Sequence, residues 1–363
     1  MKNTWLVLTS ALVIVTSQVF AASAPEPASL QWFRGNTHTH TLNSDGNAAP
    51  DTVVSWYREH GYQFVFITDH EIVTDSAPLN AVFGTAGKFL VMPGQEVSQI
   101  LIDPAHPEKQ RHAHINALGV TKVILPMGNA EGGQLLISNT TMAQTYSRNM
   151  AEIRAAGGIP QVNHPNFRWS VKPGDLASVD GPYLLEISNG HSMANNLGGS
   201  SGNGETALST EELWDVLLSQ GETVWGVGSD DSHDYLHLDD FGSERPGKAW
   251  IVVRAAELTA TSLLNAVRNG RFYASNGVLL EDYVADRSSI VIVIKQLRTN
   301  SRFPDDRRFL TRFIGRNGKV LSEVGGSRAE YTIRGDEGYV RASITDSNGQ
   351  RAWTQPVFFH PRQ

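Results

Sequence analysis

His38 and His40 stand one residue apart in "NTHTHTLNSDG", and Asp45 follows five positions after the second imidazole. Farther along, runs of apolar residues end in the same kinds of side chain: Asp69 and His70 close "FVFITDH", Glu96 closes "MPGQE", His114 lies in "HAHINALG", His164 in "QVNHP", and Asp231 and His233 in "GSDDSH". Imidazole nitrogen together with carboxylate oxygen is a donor set for zinc, manganese or iron. The chain has no cysteine, which weakens a purely structural zinc reading. Side chains two apart on a strand point the same way, so His38 pairs with His40, and Asp231 with His233. A lone histidine at a strand end is ordinarily a polar residue satisfied by hydrogen bonds, and Asp45 in "NSDG" is by itself a turn former. Seven or more such residues together point to a metal cluster.

These residues need a scaffold that gathers positions spread over about two hundred residues. From Leu30 to about Ala285, short β-branched or aromatic runs alternate with helix-like stretches. The strands expected are Tyr62 to His70, Lys88 to Glu96, His112 to Val120, Gly157 to Pro165, Tyr183 to His191 and Thr223 to His233. Helices are expected over "APDTVVSWYREHG", "TTMAQTYSRNMAEIRAAGG" and "LSTEELWDVLLSQG", where Ser209 and Glu212 have capping-box spacing. Strand then helix, repeated, predicts an α/β fold with a parallel sheet closed as a barrel, whose strand ends open on one face. Residues 287–363 change character: alternating strands joined by "RNG" and "SNG" turns predict a small β-sandwich.

The 363 residues, 40% of them hydrophobic, suffice for one large domain and a small one. Residues 1–24 read as a secretory signal with an apolar run too short for a membrane span, which predicts a periplasmic or secreted protein with no span in the mature chain. The formal net charge is −7, or −8 once a signal containing Lys2 and no acid is removed. An acidic chain without a basic block is a poor binder of nucleic-acid backbone, so a small-molecule substrate is expected. The absence of cysteine leaves stability to the core and to bound metal.

The ordered motifs "HTHTLNSDG", "FVFITDHE", "MPGQEVS", "HINALG", "QVNHP" and "GVGSDDSH" resemble those of the polymerase and histidinol phosphatase (PHP) metallohydrolase family over about residues 34–235. The later "PGKAWIVVRAAELTATSLLNAVRNGRFYASNG" is similar to its carbaryl-hydrolase-like branch. The resemblance implies a distorted, seven-stranded (β/α)7 TIM-like barrel over residues 25–286 that holds two to three divalent ions (Mn2+, Zn2+ or Fe2+). Carried over residue by residue, it gives His38, His40, Glu96 and Asp231 to a first ion. Glu96 then bridges to a second held by His114 and His164, and Asp45, His70 and His233 take a third. Some relatives have His at the position of Asp45.

The chemistry expected is hydrolysis of a phosphate ester by a metal-bridging hydroxide, with carbamate, amide or carboxylic ester hydrolysis on the same site as the alternative. His191 in "SNGHS" is a candidate proton donor or substrate contact. Arg168, after "NHPNF", is the first choice for a phosphate contact, with Arg34, Lys109 and Arg111 behind it. Asp69, Asp230 and Asn116 are candidates for orienting the ligands.

Overall fold

The computed structural model describes residues 30–103, 106–126, 135–137, 140–177, 179–200, 206–240, 242–296 and 308–359; the expected signal over residues 1–24 lies outside them. Seven strands carry the motifs: β1 (Gln31–Asn36), β2 (Phe64–Ile67), β3 (Leu90–Asp103), β4 (His106–Leu118), β5 (Ile159–Val162), β6 (Tyr183–Asn189) and β7 (Val224–Ser229). They are neighbours in that order, within a sheet of fifteen strands among the described residues. β1, β2 and β3 pair in parallel, as do β5, β6 and β7.

The fold is α/β, but the expected parallel alternation fails at β4. Both of its pairings, with β3 and with β5, are antiparallel. Between Glu96 and His112 the chain offers no run with helical period, so β3 and β4 run on past the expected strands as a long hairpin instead of enclosing a helix. His114 consequently enters from the middle of a reversed strand, opposite Ser98, and not from a strand's carboxyl end.

The row of seven strands meets itself at one end. A parallel bridge joins Thr39, just after β1, to Ser232, just after β7. The His40 amide donates to the Ser232 carbonyl and the Asp231 amide to the His38 carbonyl, each at 3.0 Å. At the opposite edge of β1 the strand Trp250–Ala255 pairs antiparallel and leads the sheet away through Phe272–Ser275 to Arg351–Thr354. Strands Leu280–Ala285, Ser289–Ile294 and Arg328–Thr332 form a separate three-stranded sheet. Its Ile290 and Ile292 share one core with Phe313, Val340 and Ile344 of the main sheet.

Period-two patterning decides what the ring encloses. Phe64, Phe66, Leu184 and Val227 face one another in an apolar cluster. Val65, Leu185 and Ile187 face outward against helices and the neighbouring core. The helices flank this ring and are locally encoded. Pro50–Glu59 starts on proline with Asp51 in its first turn, Met142–Ala155 has a Thr141/Gln144 capping box, and Thr210–Ser219 has the expected Ser209/Glu212 box. Arg341, wholly buried on Tyr339–Asp346, holds Asp215 of the Thr210–Ser219 helix through two bonds of 2.7 Å and Glu211 through one of 3.0 Å. This ties the carboxyl-terminal strands to the ring.

Candidate metal centre

The nine expected ligands gather at the end of the ring where β1 and β7 meet. Nε2 of His38, Nε2 of His40, Oε2 of Glu96 and Oδ1 of Asp231 form a buried quartet. His38 Nε2 lies 3.1 Å from each of the other three, and His40 Nε2 lies 3.2 Å from Glu96 and 3.3 Å from Asp231. Donors about 2.0–2.1 Å from a tetrahedral divalent ion stand roughly 3.3–3.4 Å apart, so the observed spacing fits a metal with little movement. The second oxygen of Glu96 turns the other way, 3.0 Å from His114 Nδ1 and 3.4 Å from His164 Nε2. His114 Nε2 is buried without a hydrogen-bond partner among the described residues. Asp45 completes a third group, with His40 Nδ1 at 3.3 Å, His233 Nε2 at 3.4 Å and His70 Nε2 at 3.5 Å.

Two of these positions sit on strained backbone. His164 has φ 22° and Asp231 φ 49°, left-handed values that cost a residue with a side chain about 1–3 kcal/mol. Such cost persists only where surrounding structure enforces it, and the enforcing bonds are visible. The His164 amide donates to Glu186 Oε2 at 2.6 Å, and the Asp231 amide to the His38 carbonyl.

Charge in the cluster is balanced toward a cation. Burial alone would push the His38 imidazole down, yet Asp231, Glu96 and Glu186 outweigh it and raise it to about 10. His40 is likewise raised well above its usual value against its burial, by Asp231, Asp45 and Glu96. Burial would raise the Glu96 and Asp231 carboxyls, and the neighbouring imidazoles hold both well below the ordinary range. Burial pushes His114 down to about 4, with Glu96 opposing it. A buried carboxylate group of this density requires positive charge, which protons or divalent ions can supply.

The orienting residues are only partly those expected from sequence. Asp69 accepts from the Thr41 amide at 2.7 Å, from Ser44 Oγ at 2.9 Å and from Thr74 Oγ1 at 2.5 Å, and so shapes the turn that presents Asp45. Asn116 Oδ1 accepts from Asn163, whose amide also donates to Glu96 Oε1 at 2.9 Å. Asp230 points away, accepting from Tyr57 and from the Lys248 and Ala249 amides.

Glu186 was not singled out from sequence. It lies wholly buried in the middle of β6 and accepts from His38 Nδ1 at 2.8 Å, Gln161 Nε2 at 3.0 Å, Asn189 Nδ2 at 2.7 Å and Ser229 Oγ at 2.5 Å, besides the His164 amide. A carboxylate only accepts, so the His38 proton sits on Nδ1 and Nε2 offers its lone pair to the quartet. Its signal was a charged residue at an inward position of "YLLEISN", masked by burial on both faces of the strand.

Both nitrogens of His191 are engaged. Nδ1 accepts from the Met193 amide at 3.0 Å, and Nε2 lies 3.0 Å from Glu244 Oε1, a partner that sequence reading did not supply. The His191 ring is 5.6 Å from that of His233, which places it on the rim of the third group. Arg168 is exposed beside the second group, its guanidinium 5.6 Å from the Phe167 ring. Arg34 is not at the mouth. Four residues before His38 on β1, it stacks on Trp250 and Tyr62 at 3.7 and 4.0 Å, because each strand residue advances about 3.3 Å. Arg111 is held by the Ser170 carbonyl and Asp175, and Lys109 is exposed on the hairpin.

No family model and no curated protein matches the chain. Among solved structures, it is similar to a two-domain protein from Bacteroides vulgatus containing a predicted PHP-like metal-dependent phosphoesterase, at 15% identity and TM-score 0.47, over 92% of this chain and 97% of that one. It is also similar to an amidohydrolase from Chromobacterium violaceum, at 12% identity and TM-score 0.35, over 56% of this chain and 88% of the other. A lesion-specific endonuclease from Pyrococcus furiosus gives 11% identity and TM-score 0.37, over 66% of this chain and 56% of that one. At these values the likenesses carry no argument about activity, which rests on the side chains.

Proposed function

We propose that the chain is an exported metal-dependent hydrolase of the PHP type, built as a distorted seven-stranded (β/α)7 barrel over residues 25–286 with an accessory β-sandwich over 287–363. Its substrate on this reading is a small phosphate ester, cut outside the cytoplasm. The observation that carries the reading is the division of Glu96, one oxygen toward His38 and His40 and the other toward His114 and His164. A carboxylate so divided suits two neighbouring cations, and Asp45 with His70 and His233 suits a third.

Divalent ions in such a site acidify water and take up charge on ester oxygens. The chain's own residues then hold and orient. Glu186 keeps the His38 lone pair turned inward, Asn163 steadies Glu96, and Asn189 Nδ2 donates to Asp231 Oδ2 at 3.1 Å. Arg168, without a hydrogen-bond partner among the described residues, is placed to meet an anionic substrate. The His191–Glu244 pair lies on the other side of the Phe167 ring, 6.0 Å from it, and fixes a neutral imidazole with its proton on Nε2.

Hydrolysis of a carbamate or carboxylic ester is the second reading, favoured by the Phe167 ring 5.1 Å from that of His164. The test is a side-by-side screen of aryl phosphomonoesters, phosphodiesters and aryl carbamates with metal-loaded and chelated protein. Metal-dependent turnover of phosphomonoesters is expected. Turnover confined to carbamates selects the second reading, and full activity after chelation rejects both.

A further inference from the structure

We infer that the mouth takes an amphiphile: a molecule whose anionic or carbonyl head sits at the carboxylate–imidazole groups while an apolar chain lies across Phe167 and the adjoining rim. The inference rests on the metal-site reading above, but not on which bond is cut. Its first support is Phe167. This half-buried ring packs against four imidazoles, with centroids 5.1 Å from His164, 5.4 Å from His112, 5.9 Å from His114 and 6.0 Å from His191. An apolar surface therefore begins where the ligands end.

The turn that presents this ring is held in an unfavourable shape. His164, Arg168 and Trp169 all have positive φ, at 22°, 49° and 58°. Three left-handed residues that are not glycine, within six positions, persist only because the turn is fastened on both sides. Asn166 Nδ2 donates to the Asn195 and Leu208 carbonyls at 3.0 and 2.8 Å, and Arg111 Nε donates to the Ser170 carbonyl at 2.8 Å.

The segment that Asn166 grips continues the apolar surface, with Met193 and Leu197 both exposed, Leu197 at 85%. Across the mouth, the turns after β1 and β2 are joined by Asn43 Nδ2 donating to Thr74 Oγ1 at 2.8 Å, and they carry exposed Leu42 and Ile72. Leu236, 64% exposed, follows His233. Of thirteen exposed large hydrophobic side chains among the described residues, Leu42, Ile72 and Leu236 lie on segments that follow β1, β2 and β7, and Met193, Leu197 and Leu208 on the segment that follows β6, the strand of Glu186. Scattered single apolar residues need no explanation, but concentration around one polar centre does. A sugar phosphate or a free anion would leave these side chains in water, whereas an alkyl chain covers them.

Calorimetric titration of the metal-loaded full-length chain with n-alkylphosphonates from methyl to octyl tests this directly, because these heads are not hydrolysed. Each methylene leaving water is expected to tighten binding by up to about fourfold. Met193→Ser with Leu197→Ser should flatten that dependence, while Val320→Ser, far along the chain on an edge strand, should leave it intact. Equal affinity across the wild-type series overturns the inference, as does an unchanged slope in the double variant. Binding to phosphatidylcholine vesicles without chain-length dependence for the monomeric ligands also overturns it, since the rim would then be a membrane contact. Metal content measured on the same preparation separates the two failures. Ions with no slope sink this inference alone, and a slope without ions sinks the metal reading alone.

Discussion

Replacing Glu186 by Gln probes the residue on which the cluster's geometry turns. The substitution keeps the shape but exchanges one acceptor oxygen for a donating NH2. On one side that oxygen receives His38 Nδ1, Gln161 Nε2 and Ser229 Oγ; on the other it receives the His164 amide and Asn189 Nδ2. Every one of these partners except the Ser229 hydroxyl is a nitrogen, so the new NH2 meets unfavourable neighbours whichever way it turns. Facing His38, it forces the ring to place its proton on Nε2, the nitrogen aimed into the quartet. Facing His164, it removes the acceptor that holds a backbone at φ 22°. Loss of an outer orienting partner costs about 10–100-fold in metal affinity, or roughly 1.4–2.7 kcal/mol. At least two bonds to a charged acceptor also disappear, at about 1.5–3 kcal/mol each before the relief of no longer burying the charge. Competition titration with a chromophoric chelator reads the affinity, and thermal melting of the chelated protein reads the fold. A folded Glu186→Gln variant binding all its ions within twofold of wild type would refute the argument.

Asp69→Ala should release the turn over residues 41–45 and lower the metal count by one ion per chain, read by elemental analysis; an unchanged count shows that the turn presents Asp45 without it. In metal-free protein, the stability contributed by His38 is fully present below its ordinary value of 6.5 and is lost as pH rises through about 10. Melting temperature after chelation should therefore fall between pH 7 and pH 10. The depressed Glu96 and Asp231 carboxyls act with the opposite sign, their stability vanishing as pH falls through the acid range. A flat alkaline profile contradicts this assignment. Asp215→Ala strips the fully buried Arg341 of its bidentate partner and should cost about 3–5 kcal/mol without changing the metal count. A loss under about 1 kcal/mol would show that Glu211 alone suffices.

Much of the centre was legible in the sequence because a metal ligand keeps its chemistry wherever the chain carries it. Apart from Asp45, in a turn, and His114, inside its strand, each of the nine residues ended or followed an apolar run, and the structure brings all nine into overlapping groups at one mouth. The residues that orient them were harder to see, since Glu186 and Asn163 look like any polar residue in a buried strand until their partners are placed. Glu244 reaches His191 from a segment that sequence reading had left unassigned. The reversal of β4 was hidden for a related reason. Period-two patterning is the same in a parallel and an antiparallel strand, and only the lack of a helical-period run between Glu96 and His112 hints at a hairpin. Local signals did better: the Ser209/Glu212 capping box and the proline-led first helix form where expected, because their donors and acceptors lie within a few residues.

Anomalous diffraction from crystals of the purified chain, recorded on either side of the manganese, iron and zinc absorption edges, tests the central claim most directly. The account predicts one ion within about 2 Å of both His38 Nε2 and His40 Nε2 and a second between Glu96, His114 and His164. Ions absent from both places after metal loading, or held elsewhere in the molecule, would contradict it.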